Sequence, residues 1–566
     1  MNFDATRRIR FIGWCVLGAA LFIAARLYFL QVVRAEEFVM RADRLYAENS
    51  ASLFNRGSIF FTEKDGEQVV AASQKNGFVL ALDATKLTDA EAAYQSLNPL
   101  IPLSRAEFFA RAEKSTDSYE ELAHRLTQEA ADAITALEIP GVIIARERWR
   151  FYPGGARAAH AIGFVGYDED RIVGRYGLER YYEDVLGKTH QSPYKNFFAE
   201  LLEAVRGGAS ARSGNVVTSI EPSAQSYVEQ TLRATADRFS SRETAGIVMN
   251  PNTGEIIAMA AVPSFDLNNF QKEKDWRVFV NPLIENVYEF GSIMKPLTMA
   301  AGIDIGAVTP ETTYDDKGFQ ELNGKTFYNF DKKARGRVSM QEVLNQSLNT
   351  GAAFVALKMG TDQFAQYLLS FGIGDETGVD LPNEASGLVD NLKSPRQIEY
   401  ATASFGQGVA TTPIAMTRAL SALANKGELP NPHIATRLSY DLGTFSSPSF
   451  GESKRVLATE TVEQVTKMLV KVVDTALLGG SKKLEHWSVA AKTGTAQMAK
   501  PVSGGYYEDR FLHSFFGYFP AYEPRFIVFL YTVEPKGVSF ASHTLTDPFF
   551  DIAKFLLNYY AIPPDR

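Results

Sequence analysis

Residues 245–260 read as two β-rich runs, Ala-Gly-Ile-Val-Met and Glu-Ile-Ile-Ala-Met-Ala, on either side of Asn250-Pro-Asn-Thr-Gly254. Asn, Pro and Gly favour turn conformations and interrupt strand pairing, so the stretch predicts a hairpin. Two further aromatic and β-branched runs, 514–519 and 525–533, lie far downstream and are divided by Pro520-Ala-Tyr-Glu-Pro524. Residues 547–560 then read as a closing helix, ended by Ile562-Pro-Pro564. Helical segments fill the interval between the two strand pairs. The fold class expected is α/β (α+β), with an antiparallel sheet that joins its first and last strands and is flanked by helices.

Upstream, residues 35–240 alternate short apolar runs, such as 78–82 and 142–145, with charged helical stretches such as 104–137. Residues 186–213 mix Gly, Ser and charge and read as an irregular connection. At the start, Arg7, Arg8 and Arg10 precede an apolar run over 11–25, which Arg26 interrupts and 27–33 continue with Gln31 as the polar position. The uninterrupted part is about 15 residues, short of the roughly 20 needed to cross a bilayer. Carried through to Val33 it is about 23, provided Arg26 snorkels or faces a partner helix. The alternative is a cleaved signal peptide, but no small-x-small site precedes a polar start. The division expected is a cytoplasmic tail 1–10, a transmembrane anchor 11–33, a non-catalytic mixed α+β pedestal 34–240 and a catalytic domain 241–566. The basic end would stay in the cytoplasm and everything after Arg34 would lie outside the membrane. A chain of 566 residues is also too long for one compact domain. Its net charge of -8 gives no reason to expect nucleic acid as a partner. Cys15 is the one cysteine, which excludes a disulfide within the chain and any cysteine nucleophile or metal ligand beyond that run.

Three short motifs carry chemistry: Ser292-Ile-Met-Lys295, Ser347-Leu-Asn349 and Lys492-Thr-Gly494. On a helix, residues three apart share a face, so the Lys295 amine can reach Ser292 Oγ. A serine hydroxyl is a poor nucleophile until a base takes its proton. Lysine serves as that base only when desolvation and a second cation lower its pKa, and Lys492 is the candidate for that cation. A helix N-terminus at Gly291-Ser292 would favour negative charge developing at the serine.

Singly these motifs are common. Ser192-Pro-Tyr-Lys195, Ser96-Leu-Asn98 and Ser213-Gly-Asn215 match two of the patterns, and each is explained as a solvated serine near a polar neighbour. Context separates them. Ser192 precedes a proline in the irregular connection, whereas Ser292 opens an apolar helical run over 296–305. Ser96-Leu-Asn98 runs into Pro99, a turn signal. Ser347 instead follows a helix announced by a capping box, Ser339-Met-Gln-Glu342. Lys-Thr-Gly occurs once, just ahead of the C-terminal strand runs, where Gly494 on an edge would let a substrate backbone approach. No Gly-x-Ser-x-Gly elbow or His-Glu-x-x-His is present.

The order of the three motifs is that of the penicillin-recognising acyltransferases, and the longer context resembles a class B penicillin-binding protein over most of the chain. Asn250-Pro-Asn-Thr-Gly-Glu-Ile-Ile-Ala-Met259, Pro263-Ser-Phe-Asp266, Gly291-Ser-Ile-Met-Lys-Pro296, Ser404-Phe-Gly-Gln-Gly408 with Thr412-Pro413, and Ala491-Lys-Thr-Gly-Thr-Ala-Gln497 match that family's transpeptidase domain in order. Asn55-Arg-Gly-Ser-Ile59, Arg150-Phe-Tyr-Pro153 and Gly177-Leu-Glu179 resemble its pedestal. His513-Ser-Phe-Phe-Gly-Tyr-Phe-Pro520 and Glu523-Pro-Arg525 look closer to the division-specific, FtsI-like branch than to the elongation branch. Two positions depart: Phe290 stands where the family commonly has proline, and Phe60-Phe-Thr-Glu-Lys-Asp-Gly66 where it commonly has an Asp-Arg-Asn-Gly-like turn.

The resemblance implies a peptidoglycan D,D-transpeptidase that needs no metal or cofactor. Ser292 would attack the penultimate D-Ala carbonyl of a stem peptide, with Lys295 accepting its proton and Ser347 relaying a proton. Asn349 would hold Lys295 and the substrate amide. Lys492 and Thr493 would bind the terminal carboxylate, with Gly494 beside them, and the N–H groups of Ser292 and Thr495 would form an oxyanion hole. β-Lactams would trap Ser292. The partners implied are a membrane glycosyltransferase of the SEDS type (FtsW-like) and other division proteins, with Arg26 the first residue to test for such a contact. Rival readings are an elongation-type transpeptidase, a D,D-carboxypeptidase or β-lactamase-like hydrolase, and a β-lactam sensor that does not turn over. The anchor and the pedestal argue against a soluble hydrolase. A sensor would be expected to carry a cytoplasmic signalling domain ahead of its anchor.

Overall fold

The computed structural model of the chain describes residues 14, 18, 26, 55–114, 119–168, 171–187, 213–440, 443–500 and 504–566. The expected tail and anchor lie outside these apart from Trp14, Gly18 and Arg26, as does nearly all of the 186–213 connection. Among the described residues no helix is long and apolar enough to cross a membrane. The described residues form two compact units, neither continuous in sequence. The smaller holds those within Met1–Gly57, Ser73–Phe151 and Asp184–Gly214, and the larger holds those within Ser58–Ala72, Tyr152–Glu183 and Asn215–Arg566.

In the smaller unit, the strand Gln68–Leu82 pairs along residues 73–82 with Val142–Phe151, Leu82 opposite Val142 and Ser73 opposite Phe151. The apolar runs at 78–82 and 142–145 are therefore neighbours. Residues 104–137, expected to be helical, instead hold two short helices, Arg105–Ala112 and Gln128–Thr135, separated by the strand Glu120–Leu126. Glu, Leu and Ala in that strand favour helix, but pairing with Gln68–Leu82 and burial of Leu126 beside Leu80, Phe108 and Ile134 override the preference. Two of the family-like motifs meet in this unit, where the buried Arg150 donates from Nη1 to the Gly57 carbonyl at 2.6 Å.

The larger unit is built on a five-stranded antiparallel sheet, in the order Ala490–Ala499, Tyr506–Phe519, Phe526–Val533, Glu243–Met249 and Ile256–Val262. The hairpin expected at 245–260 forms, and the first and last strands of the segment lie side by side. Strand alternation sorts the side chains. Phe515, Phe519, Val528 and Leu530 enter a core shared with Val228 and Leu232 of the helix Pro222–Phe239 and with Phe549, Ile552 and Leu556 of the helix Thr546–Tyr559. Each such side chain stabilises the fold by about 1.5–3 kcal/mol. Pro222–Phe239 buries its apolar stripe here, so this unit reaches ahead of the boundary expected at residue 240. On the opposite face, Phe529 and Tyr531 meet the ring of Phe290, with centroids 5.1 and 6.1 Å away. The departure at 60–66 still makes a hairpin: Ile59–Thr62 pairs with Gln68–Leu82, and the Glu63 N–H donates to Glu67 O at 2.8 Å.

Candidate active site

Ser292 lies in a 3-10 turn, Gly291–Met294, that runs directly into the helix Lys295–Asp304. The expected geometry was an α-helix with both residues on one face. In a 3-10 turn, residues three apart eclipse, which brings the pair together more directly. Lys295 Nζ is 2.9 Å from Ser292 Oγ. Pro296 suits the first turn because its missing N–H forfeits no helical bond there. Leu297, Met299, Ala300 and Ala301 are all buried, so the helix is enclosed on every side and carries Lys295 into the interior with it.

Ser347 follows the helix Met340–Asn345, whose first turn Ser339 caps by accepting from Glu342 N at 3.4 Å. The expected capping box is only half made, because the Glu342 carboxylate accepts from the side chains of Asn345 and Gln346. Ser347 itself has φ +55, a left-handed conformation that costs about 1–3 kcal/mol in a non-glycine residue. The conformation turns both its carbonyl and its hydroxyl to Lys295, whose Nζ is 2.5 Å from Ser347 O and 3.1 Å from Oγ. Lys492 approaches the same hydroxyl, with Nζ 3.0 Å from Ser347 Oγ and 3.0 Å from Thr493 O. Both lysines are buried. Burial pushes Lys492 down to about 7. Burial, and then the charge of Lys492, hold Lys295 well below the ordinary lysine range.

Asn349 opens the helix Asn349–Met359, and its side chain donates to Tyr328 O at 2.8 Å while its N–H donates to Asn329 Oδ1 at 2.9 Å. The hold on Lys295 that the resemblance assigned to Asn349 is supplied by the Ser347 carbonyl. Behind Asn329 sits the buried Asp316, which accepts from Gly318 N, Asn329 Nδ2, Arg335 N and the Thr350 hydroxyl. No spacing in the sequence marks this cluster, since all its members but Gly318 meet Asp316 only through the fold.

Lys492, Thr493, Gly494 and Thr495 lie on the edge strand Ala490–Ala499, with Gly494 opposite Ser514. The glycine has an internal reason. A Cβ at 494 would stand 2.4 Å from Ser514 Oγ and 2.5 Å from the Phe290 carbonyl oxygen, so the nucleophile turn, rather than a substrate, occupies that space. The Phe290 carbonyl accepts from the Ser514 hydroxyl at 2.8 Å, and its ring meets Phe529 edge to face. The Ser404–Gly408 motif buttresses the same turn. Gly291 N donates to Gly406 O at 3.2 Å, a Cβ at Gly406 would come 2.2 Å from Gly291 O, and Thr298 donates to Ser404 O at 2.8 Å. Glu289 completes the frame by accepting from Gly408 N and the Tyr506 hydroxyl.

Ser292, Ser347, Asn349, Lys492, Thr493 and Thr495 line one cleft of about 900 Å³. Lys295 and Gly494 sit behind its surface, and Tyr328, Phe330 and Phe540 add aromatic wall. The similar motifs elsewhere do not join it. Ser96 belongs to the helix Ala90–Leu97, Asn215 accepts from Ser58 N, and Ser192 lies outside the described residues. Among the described residues no cluster of His, Cys, Asp and Glu is arranged to hold a metal ion. The arrangement places a hydroxyl beside a buried amine whose pKa is lowered by burial and by Lys492, with that second amine one hydroxyl away: the elements of acyl transfer through serine.

Residues 244–553 match the penicillin binding protein transpeptidase domain, and residues 54–195 match the penicillin-binding protein dimerisation domain. The chain is similar to the Stage V sporulation protein D of Bacillus subtilis (strain 168), 28% identical over 558 residues that cover 97% of this chain and 84% of that protein. It is also similar to the peptidoglycan D,D-transpeptidase FtsI of Buchnera aphidicola subsp. Schizaphis graminum, 27% identical over 571 residues that cover 98% and 96%. Its fold is that of penicillin binding protein 3 from Mycobacterium tuberculosis, solved in complex with aztreonam, with a TM-score of 0.69 and 23% identity over 91% of this chain and 98% of that one.

Proposed function

The chain belongs to the penicillin-binding protein transpeptidase family, and from that membership we propose that it is a class B peptidoglycan D,D-transpeptidase of septal wall synthesis that works through Ser292. The observation that carries the site assignment is the unbroken chain of contacts from Ser292 Oγ to Lys295, to Ser347 Oγ and to Lys492.

In this reading the groups divide the reaction among them as follows. The neutral Lys295 amine accepts the Ser292 proton as Oγ attacks the penultimate D-Ala carbonyl. N–H groups of Ser292 and Thr495 stabilise the oxyanion. The C–N bond breaks as the leaving D-Ala amine takes a proton by way of Ser347 Oγ. The Lys492 ammonium and the Thr493 hydroxyl hold the terminal carboxylate. Asn349 spends one N–H on Tyr328 O and keeps its other N–H and its carbonyl for the substrate amide. The amine of a second stem then attacks the ester, frees Ser292 and closes the cross-link. A β-lactam acylates the same oxygen and remains on it.

The division role rests on the FtsI-like relative and on residues 513–525; another relative is named for stage V sporulation. In this reading residues 11–33 anchor the protein in the cytoplasmic membrane and the site lies outside the cytoplasm. Residues 34–240 contain the pedestal and 241–566 the transpeptidase domain, whose sheet also takes the helix Pro222–Phe239 into its core. A SEDS-type glycosyltransferase and other division proteins are the partners, met through the anchor and the pedestal. The test is fluorescent-penicillin labelling of the full chain in detergent, with Ser292→Ala alongside. Labelling that survives in the variant, or is absent from the parent, rejects Ser292. Incubation with a donor stem and an acceptor amine then separates transpeptidation from hydrolysis, since free acid as the sole product points to a carboxypeptidase.

A further inference from the structure

The wall of the cleft beside Lys492 is irregular. The helix Thr459–Lys471 passes into a π-helical turn, Val472–Ala476, and then into Leu477–Gly480, where Leu478 takes φ +48 and Gly479 φ +68. Val472, Ala476, Leu477 and Leu478 line the cleft together with Ser292 and Lys492. A leucine in the left-handed region is strained and persists only where its surroundings hold it.

Part of that hold comes from residues distant in sequence. Arg566 donates from Nη1 to Asp474 Oδ2 at 2.6 Å and from Nη2 to Oδ1 at 3.1 Å, and its Nη2 also reaches Leu484 O at 2.9 Å. Asp474 lies inside the π-helical turn. Asp565 accepts from Ser488 N at 2.7 Å and from the Ser488 hydroxyl, while its own N–H donates to His486 O at 3.1 Å. Trp487 Nε1 donates to Ile562 O at 3.2 Å. Ser488 stands just ahead of the strand that carries Lys492 to Thr495. The segment 562–566 is thus tied both to the π-turn wall and to the root of the edge strand. The Arg566 and Asp474 side chains are only 22% and 18% exposed and meet as a bidentate pair, a geometry worth more than an ordinary surface ion pair.

We propose that Asp565 and Arg566 are positioning residues of the transpeptidase site, which set the width of the cleft by holding Asp474 and Ser488. The proposal rests on the reading of the cleft given above. Neither residue touches Ser292, Lys295, Ser347 or Lys492, so loosening the tie alters how the donor stem fits and leaves the proton transfers unchanged.

The experiment is donor-stem kinetics of the full chain in detergent, below its unfolding temperature, for Arg566→Ala, Asp474→Ala, their double variant, Arg566→Lys and Asp565→Ala. Each alanine variant is expected to lower kcat/KM about fivefold through KM, as the loss of one largely buried tie would. The pH midpoints should not move, the double variant should match the singles, and Arg566→Lys should recover part of the loss. Unchanged KM in the alanine variants, whatever happens to their melting temperature, overturns the proposal. So does a double variant that shows the product of the two single losses. Fluorescent-penicillin labelling of the parent chain keeps the two readings apart. A labelled parent with unaffected variants sinks only the positioning role, whereas an unlabelled parent sinks the site beneath it.

Discussion

Gly494 and Phe290 approach so closely that a Cβ on residue 494 would stand 2.5 Å from the Phe290 carbonyl oxygen. The strand that carries Lys492 and the turn that carries Ser292 therefore share a contact with no room for a methyl group. In Gly494→Ala the carbonyl must retreat, and Ser292 follows it closely in the chain. Overpacking of this kind costs about 1–3 kcal/mol of stability. A nucleophile displaced by a fraction of an ångström should slow fluorescent-penicillin labelling of Ser292 by at least about tenfold. A variant that melts lower but labels at the parental rate would show that the contact serves stability alone.

The two buried lysines predict the shape of the pH profile. Below its lowered pKa, Lys295 is protonated and cannot accept the Ser292 proton, so kcat/KM falls as pH falls. Above about 7, Lys492 of the free enzyme loses its proton and the carboxylate clamp its charge, so kcat/KM falls again as pH rises. The profile should be bell-shaped, with apparent midpoints that belong to the coupled pair. Lys492→Arg keeps a permanent cation, so the alkaline limb should move away from 7 while the acid limb stays. An alkaline limb unmoved in that variant, normalised to its own maximum, would reject Lys492 as the group that sets it.

Asp316 makes a prediction about support rather than chemistry. Four donors converge on its carboxylate, and one of them, Asn329, in turn receives the N–H of Asn349. Asp316→Ala leaves those donors unpaired in a buried site, at a cost of about 2–4 kcal/mol. Urea unfolding should show that loss, with acylation reduced because the Asn349 end of the cleft loosens. A midpoint within error of the parent would mean that water replaces the carboxylate at no cost.

Legibility in the sequence followed the range of the interactions. Ser292 and Lys295 are three residues apart, and the hairpin at 245–260 and the helix at 547–560 are equally local, so pattern and spacing located them. Ser347 and Lys492 were found by motif order, which reflects a shared ancestry more than any local rule. The Asp316 cluster was invisible because Asn329, Arg335 and Thr350 reach its carboxylate only after the chain has folded. The strand Glu120–Leu126 was misread for a related reason: its residues favour helix, and only the partner strand decides against it. In the sequence Gly494 reads as room for a substrate, whereas its neighbour is the Phe290 carbonyl, since an edge position says nothing of what lies on its inner side.

Ser347 joins two properties that substitution can separate. Its hydroxyl bridges Lys295 and Lys492, and its left-handed backbone aims the carbonyl at Lys295. Ser347→Ala removes the hydroxyl and keeps the strain; Ser347→Gly removes the hydroxyl and relieves it. If the hydroxyl carries the proton, both variants should lose acylation alike, by about 10²–10⁴-fold. Their stabilities should differ, with the glycine variant about 1 kcal/mol more stable than the alanine variant because glycine adopts φ +55 freely. Denaturant midpoints and labelling rates, measured on the same preparations, give both numbers. Equal stabilities would show that residue 347 is not strained. Near-parental labelling in the glycine variant would move the relay to another group, with bound water the first candidate because it can span the gap between the two amines.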